Sequence, residues 1–398
     1  MGKHARKISI LLVKAVIAIV LLVWVLGQVH WRDYVRARCD GRTHAALEVI
    51  EDHGRVTHIR IPAGSWGSGK SRRLPVEDFE PIVSGQSVLR PGFLSSLRAI
   101  DVLLAVLGAF GFGASLGLIA VRWRMLLAIQ DIRISLWEAL RLTFLGQFFN
   151  AIVPGTVGGD LVKAYYVSKH TSKTAAVLVS VFVDRLLGLV ELALMAAGML
   201  LVVVLGGLVG DLEDIRLPAV CVGGVLLAVG GMMLFLLSRP FRRALRLEKL
   251  YQRLPIAHHI VAAGDAASVY GRRLKALAAA VLISFVAHLA FVGFVCLLGK
   301  SLAVPTPWYK YFVYVPLIYI IGAIPLTPGG VGWVENWYVR FFESPECGVS
   351  AVFVLALLAR LIPILWGLPG AIVAVTGARL PKAESMEAEL DLDDGSGE

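Results

Sequence analysis

The sequence is short of charge: Asp, Glu, Lys and Arg make up 17% of its 398 residues, against about 25% in a soluble globular chain. So little charge cannot cover a water-facing surface of this size. Cysteine is scarce as well. The four cysteines show neither CxxC nor metal-ligand spacing, which argues against a zinc module and a redox dithiol. Cys221 and Cys296 lie inside apolar runs and read as small core residues. Cys39 and Cys347 fall in segments placed on the same outer side, which leaves a disulfide between them open. No compact basic domain accompanies the net charge of +10, so that charge does not point to nucleic acid. Lys and Arg stand mostly at the ends of apolar runs, where they suit anionic head groups and the positive-inside bias.

What the chain has instead is apolar length. Apolar residues make up 57% of it and the mean hydropathy is +0.73. They gather in runs of about twenty residues, enough to span about 30 Å of hydrocarbon at about 1.5 Å per residue. The reading is an all-α polytopic membrane protein. A basic N-terminus precedes the run 8–26, and no small-x-small cleavage site follows Leu26, so a retained first helix is expected. Lys14 snorkels or faces other helices. Further spans are expected at 99–121, 174–205, 217–237, 275–298 and 350–376, whereas 136–153 and 309–326 end in Pro and Gly.

Charge orients the chain. Segment 238–275 holds nine Lys/Arg against Glu248 and Asp265, which puts it in the cytoplasm; Arg239 to Arg253 reads as a surface helix on anionic head groups. The loops 206–217 and 342–349 are mainly acidic and read as outside. Both termini then fall in the cytoplasm of a cell (inner) membrane protein. The division expected is a helix at 1–26, an extramembrane insert at 27–98, a first membrane repeat at 99–205, a connecting helix and basic loop at 206–274, a second repeat at 275–376, and an acidic, disordered tail at 377–398. Within the insert, 46–50 and 56–61 read as a β-hairpin around Asp52-His53-Gly54.

One motif misleads. Gly64 to Ser71 matches the GxxxxGK[ST] phosphate-loop pattern, but Pro62 and Pro75 flank it and the insert is too short for a nucleotide-binding domain. It reads as a flexible Gly/Ser loop.

The strongest signal is internal. Pro154-Gly155-Thr156-Val157-Gly158 and Pro328-Gly329-Gly330-Val331-Gly332 share PGxVG at a spacing of 174 residues. A carboxylate follows each copy, Asp160 after Gly159 and Glu335 three residues past Gly332, at a spacing of 175. An arginine inside the next apolar run, Arg185 or Arg360, repeats the 175. Two related halves are implied. Segments 122–135 and 154–173 both read as inside, so 136–153 dips in and returns; 309–341 dips in from the opposite face. About six spanning helices plus two re-entrant hairpins in an inverted repeat result, with the Gly-rich breaks lining a shared cavity.

A helix that starts at such a break presents free N–H groups and a positive dipole end, which suits an anion such as phosphate. Arg185 and Arg360 lie near mid-membrane and need partners, for which Asp160, Asp184, Glu191 and Glu335 are candidates. These arginines either brace the broken helices as ion pairs or contact substrate, exchanging a carboxylate for a lipid phosphate. Glu191 and His288 read first as structural. No nucleophile, metal cluster or Ser/His/Asp arrangement supports an enzyme, and no cofactor is expected.

At Phe144–Asn150, Pro154–Asp160 with Lys163, Asp184-Arg185 and Pro328–Glu335 the chain resembles the flippase-like family built on the transmembrane region of lysylphosphatidylglycerol synthase, over roughly 99–376. The resemblance implies translocation of an anionic or modified phospholipid, or of a lipid-linked sugar, between leaflets. Asn150, Pro154, Gly155, Gly158, Gly159, Asp160, Lys163, Asp184, Arg185, Pro328, Gly329, Gly330, Gly332, Glu335 and Arg360 are the substrate-binding candidates. Two departures stand out: full-length synthases add a soluble aminoacyl-transferase domain where this chain has a short acidic tail, and Lys163 stands where an arginine is common. The alternative to a flippase or scramblase is a non-transporting subunit that presents a lipid-linked substrate to a membrane-associated transferase.

Overall fold

The computed structural model describes residues 3–36, 38, 43–52, 55–61, 72–80, 89–152, 158–171, 173–208, 212–237, 269–270, 272–344 and 347–376. The surface-helix run 239–253, the acidic tail, Cys39, and the break residues Pro154 and Gly155 lie outside the described residues.

The membrane part is helical. After α1 (Lys3–Gln28) and the short α2 (Phe93–Arg98) come α3 (Val102–Ile129), α4 (Leu136–Ile152), α5 (Gly158–Ser168), α6 (Thr174–Leu205) and α7 (Leu212–Leu237). The second half supplies α8 (Leu274–Ser301), α9 (Trp308–Gly322), α10 (Trp333–Phe342) and α11 (Val349–Thr376). Local chemistry starts several of them. The Asp101 carboxylate caps α3 by accepting from the Leu104 N–H at 3.1 Å. Ser135 and Glu138 open α4 as a reciprocal capping box, each side chain taking the other's backbone N–H at 3.2 Å.

Four described helices, α3, α6, α8 and α11, are long and apolar enough to cross a membrane. The other two expected spans contribute shorter described apolar stretches, Leu12–Gln28 in α1 and Arg216–Ala228 in α7. Apolar side chains point outward along the long helices, with Leu103 at 68% exposure, Leu205 at 77% and Val375 at 88%. Hydrocarbon accepts such faces; water penalises them.

The packed pairs have a pattern. The central contact is α3 on α8. Around it α4 packs on α11 and α9 on α6; α4 on α5 and α9 on α10; α5 on α6 and α10 on α11. Likewise α3 meets α4, α6 and α11, while α8 meets α9, α11 and α6. Exchanging the set α3–α6 with the set α8–α11 leaves these pairs unchanged. Helices α1 and α7 stand outside the pattern, α1 against α10 and α7 against α6 and α9.

The two ends of α4–α5 lie together, and so do the two ends of α9–α10. Lys173, just before α6, donates to the Gln130 carbonyl at 3.2 Å, beside the start of α4. Arg273, just before α8, joins the same end through Asp131 at 2.8 Å. In the other half the Tyr311 ring, early in α9, lies 4.9 Å from that of Phe342 at the end of α10.

The insert carries two small sheets, β1 (Tyr34–Arg36) with β2 (Thr43–Ala45), and β3 (Glu48–Asp52), β4 (Arg55–Ile61) and β5 (Arg72–Pro75) in antiparallel order β3-β4-β5. The expected hairpin is present as β3–β4, and β5 adds a third strand. Val35, Ile59, Ile61, Leu74 and Phe79 form its core. Residues 62–71, including the phosphate-loop pattern, lie outside the described residues, but a strand and not a helix follows them. The insert touches the turn between α10 and α11 through Tyr34 at Gly348, and the His30 N–H donates to Ser350 Oγ at the start of α11 at 2.9 Å. Cys347 in that turn is a buried free thiol.

Candidate functional site

The two carboxylates singled out by the repeat occupy the same helical position. Asp160 is the third residue of α5 and Glu335 the third residue of α10, and both helices begin next to the last glycine of PGxVG, α5 on Gly158 and α10 just past Gly332. A carboxylate in a first turn interacts favourably with the positive end of the helix. Both are buried, each at 4% exposure.

Each carboxylate holds the arginine of its own half. Arg185 of α6 pairs with Asp160 Oδ2, and Arg360 of α11 pairs with Glu335 Oε1, in both cases 25 residues along the chain. Two guanidinium N–H groups of Arg360 also donate to the break itself, to the Gly329 carbonyl at 2.8 Å and the Gly330 carbonyl at 3.1 Å. Lys163 Nζ completes the first set, 3.1 Å from Asp160 Oδ1 and 4.8 Å above the Trp123 ring. Asp160, Lys163 and Arg185 together sum to +1, while Glu335 and Arg360 sum to zero. The Arg185 side chain is 46% exposed and that of Arg360 24%, so both heads reach open space from buried partners.

The helix-start N–H groups are not all free, as the sequence alone suggested. Glu335 Oε2 takes the Gly332 N–H at 2.7 Å, and Asn150 Oδ1, from the end of α4, takes the Gly159 N–H at 2.9 Å. The protein therefore supplies its own anion or acceptor at the starts of α5 and α10. Gly329, Gly330 and Gly332 all have positive φ, at 61°, 68° and 76°, a conformation that glycine alone adopts cheaply. Pro328 begins the 3-10 turn that carries Gly329 and Gly330, Gly332 caps α10, and Gly158 is the first residue of α5.

Of the remaining candidates, Asp184 is placed elsewhere. It pairs with Arg122 of α3 at 2.8 Å, both side chains buried, and not with its neighbour Arg185. Sequence reasoning had put Arg122 among the inside flanking charges, because the span was ended at 121. Helix α3 continues to Ile129, which carries Arg122 into the bundle at 4% exposure. Glu191 meets His288 Nδ1 at 3.1 Å in the same interior region.

Comparison with curated proteins and with solved structures returned no match. A family profile did: the one described as "Lysylphosphatidylglycerol synthase TM region" matches residues 91–370, the stretch that contains both carboxylate–arginine pairs. The chain is a membrane protein of the lysylphosphatidylglycerol synthase transmembrane-region family.

Proposed function

We propose that this protein moves a lipid between the two leaflets of a cell (inner) membrane, as a flippase or scramblase that uses no ATP. The head group passes along a polar path between the two breaks while the acyl tails stay in hydrocarbon. On this reading the protein has about six crossings and two re-entrant hairpins, α4–α5 and α9–α10, related as an inverted repeat, with both termini cytoplasmic.

One observation carries the proposal: an interior arginine paired with a buried carboxylate at a helix start, built twice at the same spacing of 25 residues. A guanidinium held by a carboxylate can exchange it for a phosphate of matching fork geometry without being left unpaired. The return of each half to the end where it began supports the hairpins. The surplus positive charge of the Asp160–Lys163–Arg185 set favours an anionic or modified phospholipid, or a lipid-linked sugar phosphate. Neither carboxylate is poised as a general base, since each is engaged by a guanidinium; the reading is transport and not group transfer.

Reconstitution into vesicles with head-group-labelled anionic and zwitterionic lipids tests this. Faster loss of label from the protected leaflet than in empty vesicles is expected, strongest for the anionic lipid. Rates equal to those of empty vesicles for every lipid would remove the proposal. The accessory-subunit reading would then gain from co-purification of a transferase that loses activity without this chain.

A further inference from the structure

A second polar cluster lies in the interior, away from the breaks. The Arg122 guanidinium donates to Asp184 at 2.8 Å and also to Ser284 Oγ, and the Ser284 hydroxyl donates to Glu191 Oε2. His288 Nδ1 sits 3.1 Å from that same oxygen and 2.9 Å from the Ser284 carbonyl. A carbonyl oxygen only accepts, so Nδ1 carries a hydrogen, and Nε2 is the ring atom left to gain or lose a proton. Glu191 Oε1 is buried without a hydrogen-bond partner.

The charges do not balance. Arg122 supplies one positive charge; Asp184 and Glu191 supply two negative ones, all three residues at 6% exposure or less. With a neutral His288 the cluster holds a net −1 in a low-dielectric interior, which is costly. One added proton, on Glu191 Oε1 or His288 Nε2, brings the sum to zero. The other groups near the cluster do not change this count. Tyr270 donates to the Leu126 carbonyl, Tyr319 of α9 meets Phe291 edge-on at 4.6 Å, Cys221 of α7 packs in the apolar core, and Lys163 with Arg185 holds Asp160.

Trp366 and Ala359 of α11 stand 175 residues beyond Glu191 and Asp184, whereas α3 and α8 are offset by 172 residues at both ends, which sets Leu116 opposite His288. The Trp366 ring packs against Gly113, one turn before Leu116. The corresponding contact of the other half is thus apolar. Only one half keeps a carboxylate and an imidazole there, and ionisable groups inside a membrane bundle are rare, costly and used along substrate, ion and proton pathways.

We propose that Glu191 and His288 form a binding site for one exchangeable proton, and that its occupancy is coupled to lipid movement through α6. The coupling rests on the transport reading above. Its physical basis is that Asp184 and Arg185 are consecutive residues of α6, the first in the proton cluster and the second in the pair at the break. The proton comes from water on the acidic side and is returned to water on the other.

The test uses the full chain in vesicles of zwitterionic and anionic phospholipid. Infrared difference spectra between about pH 3 and pH 9, the range that brackets ordinary carboxyl and imidazole titration, should contain a protonated-carboxyl band that Glu191→Gln removes and His288→Gln displaces. Nitrogen-15 NMR of labelled histidine should show His288 Nε2 responding over the same range. If neither Glu191 nor His288 changes, the site binds no exchangeable proton and the proposal is overturned. In the second arm, reversing an imposed pH gradient should change anionic lipid movement by about fivefold or more, the range of ordinary site-to-site coupling, and Glu191→Gln should abolish the change. Titration with lipid movement indifferent to the gradient overturns the coupling. Titration with no lipid movement at any pH upholds the proton site and overturns the transport reading.

Discussion

Gly146 and Gly159 touch backbone to backbone: a Cβ on Gly159 would lie 1.8 Å from the Gly146 carbonyl oxygen. This contact seats the start of α5 on α4 and so places Asp160 within reach of Arg185. Gly370 does the same for α11 on α4, where a Cβ would lie 2.1 Å from the Phe144 carbonyl.

Gly159→Ala is therefore expected to destabilise the fold by about 1–3 kcal/mol, the usual cost of overpacking a close contact. Gly198→Ala, in α6, has open space around its Cβ and serves as the control. Thermal unfolding in detergent should show a lower Tm for the first variant and an unchanged or slightly higher Tm for the second.

Breaking the second ion pair from one side should cost more than removing both partners. Arg360→Ala leaves Glu335 buried and unpaired, at about 3–5 kcal/mol. The double variant Glu335→Gln with Arg360→Met should recover most of that loss, because Gln still accepts from the Gly332 N–H. Tm values for the two singles and the double give the coupling energy directly. Recovery of Tm without recovery of lipid movement separates substrate contact from bracing; recovery of both assigns the pair to structure alone.

Lys163→Met brings the Asp160–Lys163–Arg185 set from +1 to zero. The preference for anionic over zwitterionic lipid should fall by about tenfold, equivalent to one charge-assisted hydrogen bond of about 1.5 kcal/mol. Lys163→Arg should keep it. The ratio of labelled-lipid rates in vesicles reports this, and an unchanged ratio in Lys163→Met would assign the lysine to packing against Trp123.

Burial pushes the Cys347 thiol up to about 12, with a further upward contribution from Glu343. At pH 8 the folded protein should leave Cys347 almost wholly unlabelled by maleimide, while the unfolded chain labels readily. The neutral thiol favours the folded state, so this contribution is intact below the unfolded value of about 8.5 and is lost as pH rises toward 12. Mass spectrometry after timed labelling checks the first point, and Tm measured between about pH 8 and 11 checks the second.

The breaks and their charges were legible in the sequence because PGxVG, a carboxylate and an arginine recur at nearly one spacing. The pairing was less so. Asp184 adjoins Arg185 in sequence, yet consecutive helical residues point about 100° apart at 3.6 residues per turn, so they meet different neighbours. Arg122 adjoins the apolar run and reads as its end, whereas a buried carboxylate across the bundle lets the helix carry it inside. β5 was hidden for another reason: its partner β4 lies ten residues upstream, beyond a stretch with no strand pattern.

Helix α1 adds something the matched pairings lack. Its backbone at Ala18 and Leu22 lies so close to Gly332 that a Cβ there would stand 2.9 and 2.8 Å away. A body made of two interchangeable sets of helices would rest equally in two shapes related by exchanging the sets. Here α1 leans on the break before α10, and Glu191 and His288 stand where Trp366 and Leu116 stand in the other set. On the transport reading proposed above, both lift that degeneracy and make one shape the resting one.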